Sequence, residues 1–214
     1  MHSYYSIISN ISSFSFLIPF ILGLIYYRKL KAAERVILIL LLIVFVTEII
    51  NSITASKGIN NLIVGRIYSL FEFYLLLYFY TLFFQTNSFR KLSWILALIF
   101  PVLALLDYLK LNGESNSDSF AATTEGLIFI SFSLAAFYRI MKYVLYDDLL
   151  NAPFFWINTA YLTYFAGTLF MFAFFNVILK NQEHYLYQVY LINVAMNFIC
   201  YILIAIGFWK TRKA

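Results

Sequence analysis

The chain has 214 residues, of which 63% are hydrophobic, 21% aromatic and only 12% charged. Soluble proteins average about 25% charged residues, so this composition excludes a soluble single domain. The formal net charge of +5 comes from Lys and Arg spread over short connections, which excludes a basic nucleic-acid-binding patch and makes these residues reporters of topology instead.

A hydrocarbon core about 30 Å thick takes about 20 apolar residues per helix, and the chain supplies seven such stretches. They are expected at residues 11–27, 34–54, 62–84, 92–109, 121–143, 153–179 and 185–209, forming one integral membrane domain over 1–214. The fold class is therefore all-α, a polytopic bundle of about seven transmembrane helices. Pro19 falls inside the first stretch and Pro101 inside the fourth, whereas Pro153 suits the first turn of the sixth. Gln85 to Lys91 reads as a loop, and Lys110 to Ser119, with Asn112-Gly113 and a run of Ser and Asn, as the most polar connection. The single cysteine, Cys200, lies in the last apolar stretch and reads as a small buried hydrophobe.

Topology follows from counting positive charges in alternate loops. One set holds Arg28, Lys29, Lys31, Arg35, Arg90, Lys91, Arg139, Lys142, Lys210, Arg212 and Lys213; the other holds Lys57, Lys110 and Lys180. Eleven against three places the amino end outside and the carboxyl end in the cytoplasm. No basic segment precedes the first apolar stretch, so a retained first helix is expected and not a cleaved signal. The inner ends of helices one and five share a pattern, Tyr26-Tyr27-Arg28-x-x-Lys31 and Phe137-Tyr138-Arg139-x-x-Lys142. This pattern fits a 3+1+3 arrangement in which two parallel three-helix units are joined by helix four.

The hairpin of helices two and three carries the functional signal. Glu48 and Asn51 lie in the first leg, Arg66, Tyr68 and Glu72 in the second, all within otherwise apolar sequence. A charge at a helix centre costs roughly 2.5–3.5 kcal/mol on insertion scales, so each needs a partner, a cavity or a function. At 1.5 Å rise per residue, Glu48 lies roughly 20 Å above the inner face, and Glu72 and Glu125 lie roughly 10 Å below the outer one. Asn193 and Asn197 in helix seven fall at a similar depth, and the four helices thus point to one polar layer beneath the outer surface. Spacing groups the pairs: Glu48 with Asn51 at i, i+3, and Asn193 with Asn197 at i, i+4, each share a helix face. Arg66 is six residues from Glu72 and is expected to cross to Glu48, Glu72 or Glu125 as a counter-ion. Left unpaired, a buried carboxylate holds its proton. The single asparagines, Asn158 and Asn176 among them, read as interhelical hydrogen-bonding groups, and His184 as a solvated boundary residue.

Other chemistries lack their residues. No Lys lies mid-helix where a retinal Schiff base would need one, and His2 and His184 are too few for a zinc hydrolase. No nucleophile elbow, His-Glu-x-x-His or phosphate loop occurs, so no catalytic residue, metal site or cofactor is implied. In its short loops, its Ile/Phe/Tyr/Asn/Lys-rich vocabulary and its Glu48-x-x-Asn51 and Arg66-x-Tyr68-x-x-x-Glu72 hairpin, the chain resembles small seven-helix membrane proteins of Bacteroidetes-type bacteria. The resemblance covers the full length, carries no assigned activity, and implies the bacterial inner membrane.

The expected function is a membrane sensor or binding module for a small ligand or for pH. Its outward-facing polar pocket comprises Glu48, Asn51, Arg66, Tyr68, Glu72, Glu125, Asn193 and Asn197. Its loops are too short for an effector domain, so the signal would leave through a separate cytoplasmic or membrane partner. A small-solute or proton-coupled transporter uses the same pocket with alternating access. An intramembrane lipid-modifying enzyme, with Glu48 or Glu72 as acid or base, is the third reading. Beyond the lipid bilayer and that ligand, no nucleic acid partner is expected.

Overall fold

The computed structural model describes residues 14–112, 119–181 and 186–212, with side chains described outside 110–119 and 174–190. Within these residues the chain is all-α. The helices are α1 (Leu17–Ile25), α2 (Ala32–Ser56), α3 (Leu62–Phe84), α4 (Asn87–Leu106), α5 (Ser119–Tyr143), α6 (Pro153–Asn181) and α7 (Leu186–Lys210). Short 3-10 turns at Tyr27–Lys29 and Leu149–Asn151 and a π turn at Asp107–Asn112 link them. Five segments are long and apolar enough to cross a membrane: Ala32–Ser56, Leu62–Phe84, Asn87–Leu109, Phe120–Tyr143 and Leu191–Lys210. Large apolar side chains such as Trp94, Leu98 and Phe170 stand outward, each at least 69% exposed. A soluble monomer rarely exposes such surface in bulk, whereas a bilayer matches it.

Local chemistry sets the boundaries. α2 opens where the Glu34 carboxylate accepts the Lys31 backbone N–H at 2.5 Å. α3 closes on Gln85, which takes the left-handed conformation (φ 50°), its N–H returning to the Thr81 carbonyl. α4 begins at Asn87, five residues before the expected start, because the Thr86 hydroxyl accepts the Phe89 N–H and caps the first turn. Most of the expected Gln85–Lys91 loop is thus helical. The expected Lys110–Ser119 loop is entered through the π turn, and residues 113–118 lie outside the described ones, as do His2, His184 and Lys213 and the side chains of Lys110, Asn176 and Lys180. The echoed Tyr-Arg pattern takes two different forms. Tyr27–Lys29 is a 3-10 turn, while Arg139 and Lys142 remain inside α5.

The helices pair in a cycle. α1 packs on α2 and α7, α2 on α3, α3 on α5, α5 on α6 and α6 on α7, with α4 placed beside α3 and α5. Two close approaches depend on glycine. A Cβ at Gly207 would lie 2.9 Å from Ile157 Cγ1 and 3.1 Å from the Pro153 carbonyl oxygen, fixing the α6–α7 contact. A Cβ at Gly23 would meet Leu38 and Phe208, where α1, α2 and α7 converge. The interior is aromatic: Phe73 stacks on Phe100 at 3.7 Å between centroids, and Phe83 on Phe154 at 3.9 Å. Between these stacks lies a polar triad with no exposure worth the name. The Tyr80 hydroxyl is 2.7 Å from Ser133 Oγ and donates to Asn158 Oδ1 at 3.0 Å, and Asn158 Nδ2 donates to the Ser133 carbonyl at 3.1 Å.

At the end where α3 and α7 finish, basic side chains close carbonyls that the helices leave open. Arg139 Nη1 donates to the Phe84 carbonyl at 2.5 Å, and Lys29 Nζ to the Arg212 carbonyl at 2.9 Å. Cations at helix carboxyl ends also oppose the macrodipole favourably.

Three substitutions test this packing. Gly207→Val should lower the melting temperature in detergent, at a cost of about 1–3 kcal/mol from overpacking against backbone that cannot yield. Gly65→Ala, whose Cβ would meet nothing within 4 Å, should not lower it. Tyr80→Phe removes the hub of the triad and should cost about 0.6–1.7 kcal/mol, between the average and the maximum found for interhelical hydrogen bonds in a membrane protein. Equilibrium unfolding in mixed micelles reads all three.

Candidate functional site

Five helices meet around a cavity of about 400 Å³ at the end away from the basic cluster. Each contributes a stripe set by helical spacing. α2 gives Leu40, Leu41, Val44, Thr47, Glu48 and Asn51; α3 gives Gly65, Tyr68, Ser69 and Glu72. α5 adds Ala122 and Glu125, and α6 adds Tyr161, Tyr164, Phe165 and Phe172. α7 completes the wall with Asn193, Val194, Asn197, Cys200, Tyr201 and Ile204. The volume lies in the lower part of the usual range for small-molecule sites, roughly 300–1,000 Å³.

Of the residues singled out in the sequence, Glu48, Asn51, Tyr68, Glu72, Glu125, Asn193 and Asn197 all stand on this one wall. Their immediate contacts differ. Ser69 Oγ donates to Glu125 Oε2 at 2.9 Å, bridging α3 to α5. Tyr68, one turn before Glu72, is its hydrogen-bonding neighbour, and Glu72 and Glu125 lie within electrostatic range of each other. Tyr201 from α7 is in range of both Glu48 and Glu72. Asn197 Nδ2 donates to Asn193 Oδ1 across one helical turn. Asn51 accepts from Asn61 Nδ2 at 3.2 Å and so also closes the α2–α3 hairpin. Glu125 is 4% exposed, and its Oε1 has no hydrogen-bond partner among the described residues.

Arg66 is the exception. It is not part of the cavity wall, and its guanidinium lies over the Tyr108 ring, 4.5 Å from the centroid. The expected ion pair with Glu48, Glu72 or Glu125 is not formed among the described residues. The reason is angular: six residues at 100° each turn Arg66 well away from the face that Glu72 presents. Stacking on an aromatic face engages the charge toward the π turn instead.

Several wall residues were not singled out in the sequence. Tyr161 and Tyr164 are i, i+3 on α6, while Cys200, Tyr201 and Ile204 continue the stripe begun by Asn193 and Asn197 at i+7, i+8 and i+11. Extending the Asn193–Asn197 face by whole turns reaches the three α7 residues, whereas α6 carries no such pair to extend. Ser69 shares the α3 face of Tyr68 and Glu72, as helical spacing in the sequence indicates. No group of three His, Cys, Asp or Glu side chains is placed to hold a metal ion among the described residues.

A double-mutant cycle separates Arg66 from the wall. Arg66→Ala combined with Glu72→Gln, and with Glu125→Gln, should show coupling below about 0.5 kcal/mol in unfolding free energy, the level of independent sites. Ser69→Ala should by contrast couple measurably to Glu125→Gln. No protein-family model, curated protein or solved structure matches the chain.

Proposed function

We propose that this chain is a seven-span membrane protein, amino end outside, that binds a small ligand in the α2–α3–α5–α6–α7 cavity and signals through a separate partner. The observation that carries the reading is the cavity itself. Three carboxylates, three asparagines and four tyrosines converge on about 400 Å³ inside an otherwise apolar bundle. Polar groups placed in this way are expensive in a membrane interior and are typical of ligand and ion pathways. The orientation is supported by the excess of Lys and Arg at the end opposite the cavity, which makes the pocket outward-facing. A binding module and not a complete effector fits the short connections, the longest fully described one running from Val144 to Ala152.

A transporter is the second reading. It is favoured by the place of α4, which packs beside α3 and α5 outside the cycle formed by the other six helices. That is where a linker between two three-helix units would sit.

Orientation and binding are tested separately. In a Cys200→Ala background, cysteine at position 57 should label from outside and cysteine at 91 or 212 only from the cytoplasm. An inverted pattern overturns the outward-facing pocket. Mass spectrometry of small molecules extracted from the purified protein should reveal a species that Ala122→Trp, which fills the cavity, no longer retains. Reconstituted vesicles that accumulate this species would move the reading from sensor to transporter.

A further inference from the structure

We infer that the cavity takes a small organic cation, an amine or quaternary ammonium with an apolar portion. This rests on the proposed reading of the cavity as a ligand site and names its ligand class. The first ground is charge. The described wall includes Glu48, Glu72 and Glu125 and no Lys, Arg or His. The nearest basic side chain in sequence, Arg66, is stacked on Tyr108 instead. Three carboxylates from three helices therefore face one space whose own lining supplies no counter-charge.

The second ground is independent of the acidic count. Glu125 is 96% buried, lines the cavity, and has one oxygen held by Ser69 while the other, Oε1, has no partner among the described residues. A buried acceptor left open is costly, and a donor brought by a ligand removes the cost. Its neighbour Glu72 lies in electrostatic range, so a single positive group between α3 and α5 would meet both.

The third ground is the rest of the wall. Tyr68, Tyr161, Tyr164, Phe165, Phe172 and Tyr201 surround the carboxylates with aromatic rings. Aromatic faces attract cations, most strongly where water is excluded, and they accept the alkyl groups of an ammonium without a desolvation cost. A bare metal ion is a poorer match, because no three His, Cys, Asp or Glu side chains are grouped to hold one among the described residues.

Thermal unfolding of the full chain in maltoside micelles at constant ionic strength tests the assignment. The probes are choline, 1,4-diaminobutane, and 3,3-dimethylbutan-1-ol as the uncharged analogue of choline. Choline or diaminobutane should raise the melting temperature saturably while the neutral analogue does not. Glu125→Gln keeps the side-chain shape and the Ser69 contact, and should weaken the response roughly ten- to hundredfold, the loss of a charge-assisted hydrogen bond. If that variant does not fold, Glu72→Gln serves in its place and should weaken the response similarly.

Equal stabilisation by the neutral alcohol, or unchanged response in both variants, overturns the cation assignment. If neither cation binds but an uncharged molecule is extracted from the wild type and lost in Ala122→Trp, the cation class falls and the ligand site stands. If neither cation binds and nothing is lost in Ala122→Trp, both fall.

Discussion

A carboxylate placed in an apolar helix bundle must find a donor, a counter-charge or water, and this requirement sets the form of the molecule. Glu48, Glu72 and Glu125 are carried by α2, α3 and α5, and none of the three meets a basic side chain among the described residues. The helices answer by turning all three toward one space. Tyr68 and Ser69 then give Glu72 and Glu125 their nearest donors from within α3. The cost of the charges is thereby concentrated in one place, where a ligand can offset it.

The rest of the bundle is arranged as support. At the end away from the cavity the interior is filled by stacked phenylalanines, among them Phe79, Phe83 and Phe154. Arg139 and Lys29 tie helix carboxyl ends to neighbouring segments there. The Tyr80–Ser133–Asn158 triad, where α3, α5 and α6 meet, is fully satisfied internally. Its role is to hold three helices in register, in contrast to Glu125, whose second oxygen has no hydrogen-bond partner among the described residues. Buried polar groups therefore serve two purposes in this fold, and the state of their hydrogen bonds distinguishes them.

The same basic residues read in two ways that agree. As a topological signal they mark one side of the membrane. As local chemistry they occupy the end where α1, α3, α5 and α7 finish and where carbonyls and the negative pole of each helix accumulate. Because successive helices alternate in direction, capping and topology put Lys and Arg at the same end. The cavity lies at the other, and its described wall includes no Lys, Arg or His.

The sequence by itself determined the all-α membrane-like class, the α3 limits at residues 62–84, and which residues of one helix share a face, Glu48 with Asn51, Tyr68 with Glu72 and Asn193 with Asn197. These follow from apolar run length and from a fixed rise and angle per residue, which are local properties. The early start of α4 was also local, but it turned on one Thr86 cap inside a segment whose composition reads as loop. Only the tertiary structure decided which faces meet. It took Arg66 to Tyr108, joined Ser69 to Glu125, and brought the α6 tyrosines and Cys200 to the wall. Rotation of one helix against another is fixed by packing, by close approaches such as Gly207 against Ile157 and Gly23 against Leu38, and no single helix encodes it.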